Sequence, residues 1–516
     1  MSTFFLNTTT PETIKIFIDK LNSTSGGFYE IPAHFFKSFS DVLAEPISKS
    51  INCCIESGCF PDSLKIAQIV PLHKSKNKFQ LSNYRPISLL PIIGKLFESH
   101  IYNDLLAFIE ANGILCPQQC GFRKNSSTNI AVTKLLDKIV SGIEERKFGL
   151  GVFLDLQKAF DMVDHQILLK KLHFYGIRGI PLQIFSSFLS NRKQCVKINR
   201  ALSDFSLLNR GVPQGSILSA TLFLLFINDI VNCSSKLHFN LFADDTCVYL
   251  NDNSLPNLYV YMNEELSRVE EYLSANKLSL NVSKTIYILF KGRRTAQNLP
   301  NLCIYGNEIE RRDNTKFLGI FIDQDLSWKT HANFVIGKLS RIIGVLGKIN
   351  DHLTLTTLKT LYYSFFQSSI QYGISFWFHV SSDLRNKIFR LQKKTIRIIT
   401  RSSFYSNTQS LFYQTKILKL EDLYKLESCK FIHQEICFLN NFSLTQNFMV
   451  HNYPTRSHSN LRPRYYRTRT GSNFVLSKGV LLYNNLDENT KTIDSIGGFK
   501  CKVKLELLYG YESTTN

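Results

Sequence analysis

The sequence predicts an α+β chain in which a small sheet is framed by many helices. Three observations carry that prediction. First, the stretch Leu241-Phe242-Ala243-Asp244-Asp245-Thr246 lies between two apolar runs of β type, residues 237–241 and 247–250. Ala-Asp-Asp then reads as the tight turn of a hairpin. Second, residues 150–154 (LGVFL) form a short buried strand with Asp155 at its end, after which the pattern turns helical through His165. Third, apolar residues recur at helical spacing over 93–109, 262–273 and 328–353.

The carboxylates suggest chemistry. Two adjacent acids on a turn repel unless a proton or cation offsets them; standing alone, such a pair is a solvated turn. Asp155 reads either as a helix N-cap or as a catalytic acid where a buried strand ends. If its strand pairs with the hairpin, three carboxylates converge. Oxygen-rich sites of that kind suit Mg²⁺ or Mn²⁺. Two such ions can activate a hydroxyl and steady a departing pyrophosphate.

Asp155-x-x-x-Ala159-Phe160-Asp161, Gly211-Val212-Pro213-Gln214-Gly215-Ser216 and Phe242-Ala243-Asp244-Asp245 follow one another in the chain. In that order they resemble the palm motifs of reverse transcriptases, in the variant of non-LTR (LINE-type) retrotransposons close to the jockey-like elements. The resemblance extends over nearly the whole chain and implies a right-hand polymerase. Residues 1–53 would be a helical lead-in, 54–323 the fingers and an antiparallel-sheet palm, 324–401 a helical thumb, and 402–516 a C-terminal basic helical extension. The resembled elements carry an endonuclease upstream, so the chain is expected to be the polymerase portion of a longer element or a truncated copy. Asp155, Asp244 and Asp245 are implied as the catalytic acids. Asp155, Asp244 and the backbone carbonyl of Leu156, with Asp245 nearby, are implied as ligands of two Mg²⁺ ions, with Mn²⁺ an alternative.

Taken in order, residues 11–58 carry helical periodicity broken at 23–27. Residues 64–72 read as a strand ending in the cluster Lys74, Lys76 and Lys78, followed by Asn83-Tyr84-Arg85-Pro86. The resemblance implies that Arg85 and one of these lysines contact the triphosphate; Arg offers a planar fork and Lys a movable point charge. Gln118–Thr128 is a basic loop with Gly and hydroxyls. Ser126–Thr128 can cap a helix starting near Asn129, and Arg123 is implied as a template contact.

Phe160 is implied to lie under the incoming sugar, where its ring clashes with a 2′-hydroxyl; the plainer reading is a core Phe. Gln214 and Gly215 are implied to face the nascent base pair and the template. Residues 217–230 form an apolar helix. Lys284 reads either as a solvated lysine or, by resemblance, as a group that protonates or holds pyrophosphate. Residues 316–323 read as a strand with Gly319 in its middle, which suggests a bulge or a close backbone approach; by resemblance Phe317, Leu318 and Gly319 belong to the hairpin that positions the primer end. Residues 328–353 and 358–372 look like paired thumb helices. Lys387, Arg390, Lys394, Arg397 and Arg401 then fall on one helical face about 21 Å long at ~1.5 Å per residue, suited to tracking phosphates. After a helix at 420–439, Thr455-Arg456-Ser457-His458 and Arg462-Pro463-Arg464-Tyr465-Tyr466-Arg467 mix Arg with Tyr, a combination for stacking and phosphate contact.

Bulk properties agree. The chain has 516 residues, 44% hydrophobic, with a formal net charge of +20. That excludes a disordered acidic protein and points to a polyanionic partner. The twelve Cys form no zinc-type C-x-x-C pairs. No signal peptide pattern opens the chain, and its most apolar run is too short to span a bilayer, so a nuclear or cytoplasmic place is expected. The implied partners are an RNA template, a DNA primer or target, and dNTPs. The rivals are a telomerase-like or maturase polymerase, and a degenerate copy that binds nucleic acid without polymerising.

Overall fold

Strand Phe148–Asp155 is the centre of the molecule because both of its faces are apolar. Leu150, Val152 and Leu154 point into one core and Phe153 into another. A strand buried on both faces is written as a near-continuous apolar run, which is the character of LGVFL. Its neighbours alternate in the same way: Val248 and Leu250 against Cys247 and Tyr249, Tyr287 and Leu289 against Ile286 and Ile288.

The computed structural model describes residues 2–21, 26–29, 31–74, 77–199, 201–290, 301–437 and 460–512. Lys76, the break at 23–25 and the stretch Thr455-Arg456-Ser457-His458 lie outside these. The palm sheet runs Glu310–Arg311, Ile286–Phe290, Phe148–Asp155, Asp245–Asp252, His238–Phe242. The central strand is antiparallel to both neighbours and ends with Asp155 opposite Asp245. The pairing on which the sequence argument depended is therefore present.

A second sheet makes the fingers. Ile66–His73 pairs antiparallel with Tyr84–Leu89 and parallel with Arg192–Ile198. The last of these strands has no counterpart in the sequence reading. Helices Pro11–Asp19, Ser40–Ser57, Ile92–Ala111 and Ile217–Ile227 share the core on one side of the palm. Lys329–Ile349, Ser382–Ile399, Leu420–Cys437 and Ile496–Glu512 share the core on the other. The segment after 402, read as an appended extension, thus has its apolar residues in one core with the thumb.

Four local readings need correction. The helix expected directly after Asp155 begins only at His165 (His165–Phe174). Lys158 takes a left-handed φ of 45°, and the Phe160 and Val163 carbonyls accept from the Val212 and Gly211 amides instead of from a helix. Residues 316–323 are not one strand with a bulge. Asn314–Phe317 and Ile320–Asp323 form a hairpin whose two-residue turn is Leu318 (φ 45°) and Gly319 (φ 84°). The apolar helix expected over 217–230 is α-helical at Ile217–Ile227 and tightens to 3₁₀ geometry at Asn228–Cys233. The helix expected over 358–372 is interrupted by a π segment, Tyr362–Gln367. There Tyr362 accepts a 2.9 Å bond from Gln392, whose amide also reaches the backbone of Leu418 and Leu420.

Fingers and palm are joined at Glu98. Its buried carboxylate accepts the Ser216 hydroxyl at 2.6 Å and the Ile217 amide at 2.7 Å, at the start of Ile217–Ile227. Burial raises its pKa, an effect opposed by these donors and by the buried Arg192 guanidinium. Glu98→Ala removes the acceptor and leaves the Arg192 charge uncompensated. We expect a loss of about 1–3 kcal/mol in urea unfolding, the cost of leaving buried donors without an acceptor; a loss below about 0.5 kcal/mol would contradict this role.

Candidate active site

The hairpin His238–Phe242 and Asp245–Asp252 closes with Phe242 paired to Asp245, so its turn is Ala243-Asp244. Ala243 holds a left-handed φ of 56°, unusual for a residue with a Cβ. What holds it is a buried side chain that the sequence reading did not single out. Gln119 Oε1 accepts the Ala243 amide at 3.0 Å and the Gly121 amide at 2.7 Å. Around it, the Cys120 amide donates to the Leu241 carbonyl and the Leu241 amide to the Gln118 carbonyl. Gly121 must be glycine here: a Cβ would stand 2.4 Å from the Ala243 nitrogen. The loop before Arg123 is thus an extra edge clamped onto the acidic turn.

Asp155 and Asp245 are directly opposite on one face of the sheet, where side chains come within about 5 Å at Cβ, and Asp244 adjoins them on the turn. Like charges so placed are unfavourable, and Asp245 registers it. Its carboxyl is pushed up from 3.8 to about 6, first by desolvation and then by Asp244 and Asp155. Lys74 and Arg85 pull the other way. These two cations lie across the fingers strands, Arg85 opposite Leu72 and the Lys74 amide bonded to the Asn83 carbonyl. Lys74 and Arg85 therefore bring positive charge to the carboxylates. Lys284 does too, with Nζ 3.5 Å from Asp155 Oδ2.

The donor set fits a hard divalent cation. It is all oxygen and negatively charged, and a cation would relieve the repulsion that Asp244 and Asp155 add to desolvation at Asp245. The bonds flanking Leu156, Gln157 amide to Ser279 carbonyl and Asn281 amide to Asp155 carbonyl, turn its own carbonyl away from that segment. Among the described residues no three acid, His or Cys side chains are gathered into a finished cage, so the carboxylates would have to close on an ion.

Phe160 is half-buried and stacks on Phe223 at 4.6 Å. Gln214 Nε2 donates to Asp161 Oδ1 at 3.0 Å. Gly215, φ 137°, brings its backbone against Ser88; a Cβ there would sit 2.3 Å from the Ser88 carbonyl oxygen. The close approach it permits is to the fingers strand.

Other sequence-derived residues are placed elsewhere. The Arg123 guanidinium donates to the Cys116 carbonyl at 3.0 Å and braces its own loop. Phe317 is buried against Phe153. The Leu318 carbonyl accepts the Tyr372 hydroxyl, and Gly319 lies beside the same ring. Lys387, Arg390 and Lys394 are exposed on Ser382–Ile399, whereas Arg397 donates to the Ser406 carbonyl and Arg401 to those of Asn350 and Leu353.

Two outcomes are expected. The raised Asp245 pKa favours the folded state only while the group is protonated. Without divalent ions, the melting temperature should fall as pH rises from about 4.5 to 7, and Asp245→Asn should remove that fall. Added Mg²⁺ should restore stability near the upper end and not the lower; identical pH profiles for the two proteins would count against the arrangement. Gln119→Leu strips two buried amides of their acceptor, about 1–3 kcal/mol each. It should lower both the melting temperature and the Mg²⁺ affinity, and an unchanged affinity would show that the clamp does not position the turn.

Residues 73–322 match the family described as reverse transcriptase (RNA-dependent DNA polymerase). The chain is 28% identical over 386 residues to the RNA-directed DNA polymerase from mobile element jockey of Drosophila melanogaster, covering 72% of this chain and 41% of that protein. It is 26% identical over 387 residues to the probable RNA-directed DNA polymerase from transposon X-element of the same species, covering 73% and 42%. The chain thus spans about two fifths of the length of these relatives. Among solved structures, a telomerase from Candida albicans in complex with a fragment of telomeric RNA overlays with a TM-score of 0.39 at 14% identity, covering 75% of this chain and 69% of that one. Residues 73–322 are thus similar to a reverse transcriptase domain, and the chain is similar to the RNA-directed DNA polymerases of the jockey and X-element transposons.

Proposed function

We propose that this chain is an RNA-directed DNA polymerase that extends a primer 3′-hydroxyl on an RNA template. The observation that carries the proposal is the placement of Asp155 opposite Asp245, with Asp244 adjacent and the charges of Lys74 and Arg85 felt at Asp245. Asp155, Asp244 and the Leu156 carbonyl, with Asp245 beside them, would hold two Mg²⁺ ions. Bound there, such ions would supply positive charge to the attacking hydroxyl and the leaving pyrophosphate.

The chain's own groups supply the rest. Arg85 offers a fork to triphosphate oxygens, and Lys74 a second positive charge. Lys284, now against Asp155, is within reach of a departing phosphate and can hold it or give it a proton. Phe160, backed by Phe223, closes the space under the sugar and so rejects a 2′-hydroxyl. Lys387, Arg390 and Lys394 offer exposed charge to the template–primer backbone. The preference for an RNA template follows from the relatives' stated activity. No helix of the described residues is long and apolar enough to cross a membrane.

Primer extension on an oligonucleotide-primed RNA with dNTPs and Mg²⁺ tests this. Wild type should extend, while Asp155→Ala and Asp244→Ala should bind template and extend nothing measurable. Binding without extension by wild type as well would indicate a nucleic-acid-binding relative that does not polymerise. Phe160→Ala should raise ribonucleotide use relative to deoxynucleotide by about tenfold or more; an unchanged ratio would return Phe160 to a core role.

A further inference from the structure

We infer that a basic cleft at the far end of the palm sheet is a second nucleic-acid site, which takes the phosphodiester backbone of a strand outside the catalytic channel. The inference rests on the polymerase reading only for the class of partner. The cleft has a volume of about 1140 Å³ and lies between the palm, the start of the thumb and the C-terminal segment. Arg146 and Lys147 enter it from the turn after Thr128–Glu144, and Arg467 and Arg469 from the opposite wall. Asp325 is the acid on its lining. Lys147 is paired with Glu145 at 2.7 Å. Arg146, Arg467 and Arg469 are exposed and, among the described residues, form no ion pair.

The C-terminal wall is anchored in a way that spares its arginines. The Glu144 carboxylate accepts the Arg467 amide at 2.6 Å, the Thr468 amide at 3.0 Å and the Thr468 hydroxyl. It therefore grips backbone and hydroxyl, and the guanidinium of Arg467 makes only a marginal 3.5 Å contact with the Glu144 carbonyl. Gly471 allows this approach, since a Cβ there would stand 2.6 Å from Glu144 Oε1. Upstream, Arg464 fixes the same segment through a 3.0 Å pair with Asp137. One arginine is used to dock the segment and two are presented to the cleft.

The local field is positive. His379, also on the lining, is held at about 4, first by burial and then by Lys478, Arg385 and Arg469. Trp328 is buried and stacked on Phe376, so the wall has guanidinium groups for phosphates and no exposed ring there for bases. That composition reads backbone without sequence. The cleft is also remote from the carboxylates. Lys147 precedes one end of Phe148–Asp155 and Asp155 is the other end, seven steps or about 23 Å at ~3.3 Å per residue. A strand must run along the palm to touch both.

The full chain is compared with Arg467→Ala/Arg469→Ala and with Arg146→Ala on the facing wall, after melting curves establish that all are folded. Binding of a single-stranded RNA of about 40 nucleotides is measured across a salt series, with a DNA of equal length beside it. Loss of two phosphate contacts should reduce the salt slope of the double variant by about 1.4, at ~0.7 per contact for single strands. Extension on the long template should show a raised KM at unchanged kcat. Extension on a primed duplex of about 6 base pairs, too short to reach at ~3.4 Å per pair, should be unchanged. An equal loss on DNA assigns the cleft to the shared backbone, and a loss on RNA alone assigns it to RNA. An unchanged salt slope overturns the inference, as does a KM rise of the same size on the short duplex, which would put these residues in the channel. A reduced slope in a protein that never extends supports the cleft while removing the proposed activity.

Discussion

The pairing of one strand with one hairpin sets everything else in this chain. Asp155 and Asp245 face each other because Phe148–Asp155 and Asp245–Asp252 run antiparallel in a fixed register. A slip of one residue would send the carboxylate into a core and an apolar side chain into the site. Burial on both faces prevents that slip, since the strand's alternate residues are claimed by two different cores. The apolar packing therefore holds Asp155 opposite Asp245, with Asp244 next in the chain, against their repulsion. The strain that remains is local and falls on Asp245 and on the left-handed Ala243. Sites that gather charge before their counter-ion arrives have this signature.

From that pairing a chain of backbone contacts leads to the fingers. The turn after Asp155 gives the Phe160 and Val163 carbonyls to Val212 and Gly211. The same loop gives the Gln214 carbonyl to the Ser88 amide at 2.8 Å, three residues from Arg85 on Tyr84–Leu89. Backbone bonds of this kind tolerate little play. The ring of Phe160, the amide of Gln214 and the cation of Arg85 are thus spaced by main chain rather than by flexible side chains. For a reaction that depends on positioning, that is the useful kind of rigidity.

What the sequence disclosed was what depends on neighbours in the chain. The apolar runs around Ala243-Asp244-Asp245, the strand ending at Asp155, and the cap at Ser127 that opens Thr128–Glu144 are all short-range patterns, and each stands within a few residues of where the sequence put it. What it hid were partners distant in sequence. Gln119 is one polar residue in a polar loop until Ala243, 124 positions away, supplies the amide that needs it. Glu98 looks like a surface acid of an amphipathic helix, yet it caps a helix that starts 119 residues later. Lys158 lies in a stretch whose composition reads as helical, and nothing near it in the chain marks its left-handed backbone or the bonds that the Phe160 and Val163 carbonyls accept from Val212 and Gly211. Gly319 in the middle of an apolar run has the composition of a bulge, and only the return of the chain makes it a turn.

The same limit governs the charge. A net charge of +20 treats every arginine alike, and the fold sorts them. Arg123, Arg397 and Arg401 are bound to carbonyls, Arg464 to Asp137, and Arg192 is buried beneath Phe188. None of these can neutralise a phosphate without first giving up a bond inside the protein. The stripe read from Lys387 to Arg401 therefore shortens to Lys387, Arg390 and Lys394. Affinity for nucleic acid scales with phosphates neutralised rather than with net charge. Under the proposed function, the cations available to a phosphate are those left exposed: this short stripe, Lys74 and Arg85 on the fingers, and Arg467 and Arg469 on the segment that Glu144 grips at Arg467 and Thr468.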